Sequence, residues 1–86
     1  DAGIWSVDAG GLAINANAVS DCANGGILVH RRQIGEDSTL VSGNRIARIG
    51  ARNGGTGQNG NGINVFRAGG VLVSNNIVSD CAFSAI

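Results

Sequence analysis

An internal repeat constrains this chain more strongly than any other feature of its sequence. Residues 3–27 align with residues 62–86 at a constant shift of 59 positions and without a gap. Twelve of the 25 aligned positions are identical, and the run VSDCA stands at the matching place in both copies. A looser third copy lies between them, where GILVHR at 26–31 matches GINVFR at 62–67. A repeat of roughly two dozen residues with short alternating apolar runs is typical of a β-solenoid, in which each repeat forms one coil.

The repeat predicts an all-β parallel solenoid of about three coils, at 3–25, 26–61 and 62–84, in a single unit spanning 1–86. Each coil is expected to contain three strands: 4–7, 12–15 and 18–22, then 27–30, 39–42 and 45–49, then 63–66, 71–74 and 77–81. Alternation along these strands assigns six inward stacks in which like lies on like. They are Ile4/Ile27/Ile63/Ile86, Ser6/Val29/Val65, Leu12/Thr39/Val71, Ile14/Val41/Val73, Val19/Ile46/Val78 and Cys22/Ile49/Cys81.

Asparagine occurs at one equivalent place in all three coils, in the bend between the second and third strands. These residues are Asn17, Asn44 and Asn76. Asparagine tolerates the left-handed conformation that such a bend requires. Stacked amides can also hydrogen-bond along the solenoid axis, as they do in asparagine ladders. We therefore expect a structural ladder at these positions.

The segments SNNIVSDC and GILV resemble the right-handed β-helix repeats of pectin-lyase-like proteins. The run at 61–86 is most similar to the twin-arginine-translocated repeat proteins, a family of exported bacterial β-helices of unassigned function. The resemblance covers nearly the whole chain and implies a right-handed single-stranded β-helix. It also implies an exported, periplasmic or extracellular location, although no signal peptide opens this chain. Because the chain starts and stops abruptly at Asp1 and Ile86, we expect a piece of a longer protein.

The charged and sulfur-containing residues indicate structural roles. Cys22 and Cys81 are expected two coils apart, about 10 Å, which is too far for a disulfide. Two distant thiols and one histidine do not make a metal site, and no cofactor is expected. The charges are expected in two exposed columns, Asp21/Arg48/Asp80 and Asp8/Arg31/Arg67. A net charge of zero and the lack of a long apolar run argue against nucleic-acid and membrane partners.

One face has the composition of a binding surface. The middle coil is longer than the others at about 32–38 and 50–61. We expect both insertions to be loops, the first following the first strand of the second coil and the other preceding the first strand of the third. Outward side chains on that face are predicted to be Trp5, Val7, Leu28, His30, Asn64 and Phe66, with Arg31 and Arg67 beside them. Aromatic rings with nearby polar groups suit the stacking and hydrogen bonding of sugar rings. A protein contact and an ordinary exposed face are equally open interpretations at this point.

No catalytic residues can be assigned, because no pair of carboxylates lies mid-strand on the aromatic face. His30 is the only histidine, and on an outward position it is expected to be an ordinary surface residue. The sequence thus favours a structural or binding module of an exported bacterial β-helix protein over an enzyme, and leaves the question of enzymatic activity open. The alternatives are a fragment of a carbohydrate-active β-helix enzyme and a self-stacking assembly unit. Expected partners are a polysaccharide on the aromatic face and, at both coil ends, the rest of the parent chain or neighbouring copies.

Overall fold

Nine strands form three parallel sheets, one strand of each sheet per repeat. The computed structural model describes residues 2–52 and 59–86. The strands are β1 (Ala2–Val7), β2 (Ala13–Asn15), β3 (Ala18–Cys22), β4 (Gly25–Glu36), β5 (Leu40–Ser42), β6 (Arg45–Ile49), β7 (Asn61–Gly69), β8 (Leu72–Ser74) and β9 (Ile77–Cys81). Sheet A has the order β1-β4-β7, sheet B the order β2-β5-β8 and sheet C the order β3-β6-β9. This all-β arrangement is β-solenoid-like, as the repeat predicts.

The described part of the chain contains no helix. It follows that none of the described residues belongs to a helix long and apolar enough to cross a membrane.

The register within the sheets places equivalent residues of the three repeats side by side. In sheet A, Ile4 pairs with Ile27, which pairs with Ile63. All nine predicted strands are present, and the strands of sheet C have the predicted bounds. The strands of sheet B begin one residue later than predicted.

The hydrophobic core lies between the three sheets, and its side chains are least exposed to solvent in the middle repeat. Its buried members are Ile14, Val19, Ile27, Val29, Val41, Ile46, Ile49 and Ile63. The stacks are less covered in the outer repeats, where three residues predicted to point inward are exposed: Leu12, Val65 and Ile86. A middle residue has a neighbouring repeat on both sides, whereas an outer residue has one, which accounts for this gradient.

The predicted loop at 32–38 is wrong for its first five residues. Strand β4 continues to Glu36, and its pairing with β7 is interrupted by a bulge between His30 and Gly35 before resuming at Gly35 and Ala68. The extra residues of the middle repeat are therefore accommodated as an irregularity within the strand, since β7 is long enough to keep pairing beyond it. The other predicted insertion, 50–61, lies largely outside the described residues.

Left-handed backbone conformations mark the corners, but at other positions than expected. The residues in the bend between sheets B and C with positive φ are Ala16, Gly43 and Asn75, each of which directly precedes a ladder asparagine. The prediction that the ladder residues themselves adopt this conformation is wrong. A second column with φ near +56° is formed by Asp21, Arg48 and Asp80 inside sheet C. The pairing skips this column, so that Cys22 turns inward three residues after Val19 instead of two.

Candidate functional site

The outer face of sheet A carries the largest exposed apolar group on the described surface of the first repeat. Trp5 is 60% exposed and its neighbour Val7 is 41% exposed. In register across the sheet, Trp5 is followed by Leu28 and Asn64, and Val7 is followed by His30 and Phe66. Pairing of the three strands thus holds all six side chains in two adjacent rows.

Trp5 from the first of these rows and His30 and Phe66 from the second form a continuous line of rings, which we call the aromatic row. The ring centres of Trp5 and His30 are 6.2 Å apart with planes at 80°, and those of His30 and Phe66 are 5.7 Å apart at 63°. Both contacts have the edge-to-face geometry that aromatic quadrupoles favour. The guanidinium carbon of Arg67 lies 4.8 Å from the centre of the Phe66 ring, within cation–π range. These contacts hold the rings in fixed orientations on the sheet.

His30 contributes to the aromatic row as a neutral ring. Its Nε2 is buried and has no hydrogen-bond partner among the described residues. Desolvation lowers the pKa of the imidazole below its ordinary value. A neutral imidazole can pack its edge against two aromatic rings without the cost of burying a cation. At neutral pH the three rings of the row are therefore uncharged, and the adjacent charge is that of Arg67 over Phe66.

Two residues predicted on the exposed face are covered instead. Leu28 is 8% exposed and Asn64 is 9% exposed, so their side chains offer little surface to a ligand. The methyl groups of Leu28 lie over Gly25, where a β-carbon would stand 3.1 Å from Leu28 Cδ2. The lack of a side chain at Gly25 thus leaves room for Leu28 to lie flat on its own strand.

The arginines near the face are placed differently from expectation. Arg31 Nη1 donates to Asp37 Oδ2 at 2.9 Å, and the Asp37 side chain is fully buried. Arg31 is thereby directed to the corner between sheets A and B, not to the aromatic row. The sequence alone suggested no role for Asp37, because the bulge that returns the chain to this corner leaves no pattern in the sequence.

The carboxylate of Asp8 pairs with Arg32 and not with Arg31 as the column predicted. Arg32 Nε donates to Asp8 Oδ2 at 2.6 Å and the Arg32 backbone N–H donates to Asp8 Oδ1 at 2.9 Å. These bonds lower the pKa of Asp8. Arg67 Nη1 donates to the Arg32 carbonyl oxygen at 2.7 Å, which ties Arg67 to the bulged segment. Because the bulge shifts the register by several residues, the partner is displaced from the position that simple stacking gives.

The other predicted charge column, Asp21/Arg48/Asp80, contains one close ion pair. Arg48 holds the Asp21 carboxylate with two bonds, Nε to Oδ1 at 2.6 Å and Nη2 to Oδ2 at 3.0 Å. This pair lowers the pKa of Asp21 and raises that of Arg48, and the charge of Asp80 adds to the shift on Arg48. Since both partners are well exposed, the pair contributes little to stability.

The three ladder asparagines are joined through their side chains. Asn17 Nδ2 donates to Asn44 Oδ1 at 3.1 Å, and Asn44 Nδ2 donates to Asn76 Oδ1 at 2.9 Å. The same acceptor oxygens receive the backbone N–H groups of Asn17 and Asn44, each at 2.9 Å. Asn44 is 1% exposed, so the middle of the ladder is removed from solvent.

The cysteines are free thiols in one stack, separated by Ile49. Burial raises the pKa of the Cys81 thiol, with a further contribution from Asp80. No group of three or more potential metal ligands occurs in the ranges 2–52 and 59–86.

Comparisons with known proteins give no relative from which a function could be transferred. No protein-family model matches the chain, and no curated protein or solved structure matches it significantly. The aromatic row therefore has to be interpreted from its own geometry.

Proposed function

We propose that this chain is a binding module of an exported protein, built as a right-handed parallel β-helix, and that the outer face of sheet A binds carbohydrate. The observation that carries the proposal is the ring of Trp5, which is largely exposed yet held edge-on by His30. An aromatic ring fixed on a rigid sheet loses little conformational entropy when a sugar ring stacks on it. The resemblance to exported β-helix repeats supports the location and the handedness.

A neutral glycan fits this face better than an acidic one. His30 is uncharged at neutral pH, and the arginines near the face are engaged: Arg31 with Asp37, Arg32 with Asp8, and Arg67 with the Phe66 ring and the Arg32 carbonyl. The exposed apolar surface of Trp5 and Val7 suits the C–H face of a sugar. We therefore expect neutral polysaccharides to bind more tightly than polyuronates.

The proposal can be tested without a label, because Trp5 is the only tryptophan and the chain has no tyrosine. Cello-, xylo- and galacto-hexaose, with polygalacturonate as the acidic comparison, would be titrated while the emission of Trp5 is recorded. A saturable change with a neutral glycan is expected. Isothermal titration of Trp5→Ala should then show at least a tenfold loss of affinity.

The matched control is Leu72→Ala, which removes an equally exposed large side chain from sheet B. Its affinity for the glycan should equal that of the unmodified chain. If no glycan changes the Trp5 emission, or if Trp5→Ala binds as tightly as Leu72→Ala, the aromatic row is not a carbohydrate site.

A further inference from the structure

The outer edge of the third repeat, formed by β7, β8 and β9, resembles the edge of the first repeat that pairs with the second repeat. The backbone carbonyl of Asn17 accepts from the N–H of Arg45 at 2.8 Å, and that of Cys22 accepts from the N–H of Gly50 at 2.8 Å. The third repeat has Asn76 just before its last strand and Cys81 at the end of that strand, at the equivalent positions. The backbone acceptors and the side chains that receive the second repeat are therefore present a second time.

The sequence identity between the first and third repeats includes the charged residue of this edge. Asp21 of the first repeat binds Arg48 of the second through two hydrogen bonds. Asp80 occupies the same position in the third repeat with nearly the same φ, 56° against 57°. An arginine stacked one step beyond Asp80 would find the same geometry.

The chain already begins to occupy this edge. The N–H of Gly62 donates to the Ser84 carbonyl at 3.0 Å, and the N–H of Ile63 donates to the Ala85 carbonyl at 2.9 Å. By the 59-residue shift, 84–86 correspond to 25–27, the first residues of the second repeat in sheet A. Residues 84–86 thus stand where a further strand paired with β7 would start.

The core stacks are open on the same side. Val41 and Ile46 of the middle repeat are fully buried, whereas Val73 and Val78, which follow them in the stacks, are only half-buried. A further layer of side chains would cover these two valines as the third repeat covers the second.

We propose that this edge binds a further β-strand repeat of the same kind as the second repeat, continuing from Ile86, with an arginine opposite Asp80 and an asparagine on Asn76. A second copy of the chain fits less well. Its residues 2–4 would need the place beside β7 that 84–86 occupy. Its Asp21 would also lie next to Asp80, and like charges in adjacent positions are destabilising.

The test grafts a copy of residues 28–61 after Ile86, so that the copied Arg48 faces Asp80. Thermal unfolding should show a single transition, with a midpoint at least about 5 °C above that of the 86-residue chain. The amide of Asn76 should exchange its hydrogen at least tenfold more slowly, because the copied Asn44 supplies an acceptor for it. Replacing Asn44 by Ala in the grafted copy alone should remove this protection.

The predicted pairing of Asp80 with an arginine is tested in the same grafted chain by changing these charges. Arg48→Asp in the grafted copy should lower the midpoint, and adding Asp80→Asn, which removes the like charge without placing a cation beside the native Arg48, should restore part of it. The proposal is overturned if the graft leaves the midpoint unchanged, or if Arg48→Asp in the grafted copy has the same effect with and without Asp80→Asn. It is also overturned if the Asn76 amide of the ungrafted chain becomes protected as concentration rises, since a second copy would then occupy the edge.

Discussion

The asparagine ladder gives the most quantitative prediction, because its three members have different numbers of hydrogen bonds. The Asn44 side chain makes four: Oδ1 accepts from the N–H and the Nδ2 of Asn17, and Nδ2 donates to the Ile14 carbonyl at 2.8 Å and to Asn76 Oδ1. The Asn76 side chain makes three, the third being Nδ2 to the Val41 carbonyl at 3.0 Å. The Asn17 side chain makes one with the described residues.

Replacing each asparagine by alanine should therefore destabilise the fold in the order Asn44, Asn76, Asn17. A hydrogen bond contributes about 0.5–1.5 kcal/mol net, and a buried group left without its partner costs about 1–3 kcal/mol. Water can reach the half-buried Asn17 and replace part of what is lost there. We expect a loss of about 2–4 kcal/mol for Asn44→Ala and of about 1 kcal/mol for Asn17→Ala.

The free energy of unfolding would be measured by urea titration, followed by the emission of Trp5 and by circular dichroism. Asn15→Ala is the matched control, because this exposed asparagine makes a single side-chain bond, with Ser42 at 2.9 Å. Its effect should stay within about 0.5 kcal/mol. An Asn44→Ala variant no less stable than Asn17→Ala would refute the inference that the amide bonds act as a continuous ladder.

Three further predictions follow from single residues. Burial lowers the pKa of folded His30 below the 6.5 of the unfolded chain. The unfolded state therefore binds more protons below pH 6.5, and the free energy of unfolding should fall as the pH drops from 6.5 to the folded pKa. In the His30→Gln variant, the urea midpoint should depend less on pH in that range. In an NMR titration, Arg48→Gln should raise the pKa of Asp21 toward 3.8, whereas an unchanged value would mean that the ion pair is not formed in solution. Gly26→Ala should unfold the chain at lower urea concentration, because the added methyl would collide with a backbone carbonyl of the third repeat. The control Gly35→Ala should be neutral, since its nearest neighbouring atom would be 3.6 Å away.

The sheets and their register could be predicted because stacking repeats the same environment. Once residues 3–27 are aligned with residues 62–86, every inward position is constrained by its equivalents, and Ile4, Ile27 and Ile63 can hardly face anything but the core. The ladder could be found for the same reason. A pattern read three times is far more informative than one read once.

The departures from the prediction occur where one repeat differs from the others. Only the middle repeat has the bulge after His30, and this bulge moves the partner of Asp8 from Arg31 to Arg32. It also brings Asp37 into a buried contact with Arg31. Such irregular pairings depend on backbone geometry that a single copy of a sequence does not determine. The pairing predicted from alternation and simple stacking is therefore wrong at this bulge.

The separation of inward and outward positions explains how such a chain can acquire a binding face without a change of fold. The outward positions of sheet C hold no aromatic residue: one row across the sheet is Ser20, Ala47 and Ser79, and the next is Ala18, Arg45 and Ile77. Those of sheet A hold the aromatic row, although its inward positions obey the same stacking rule. Substitutions on the outer face of a parallel sheet change neither the core stacks nor the hydrogen bonds between strands. The aromatic residues concentrated on sheet A are therefore not required by the stacking, and this is the physical reason to look for a ligand there.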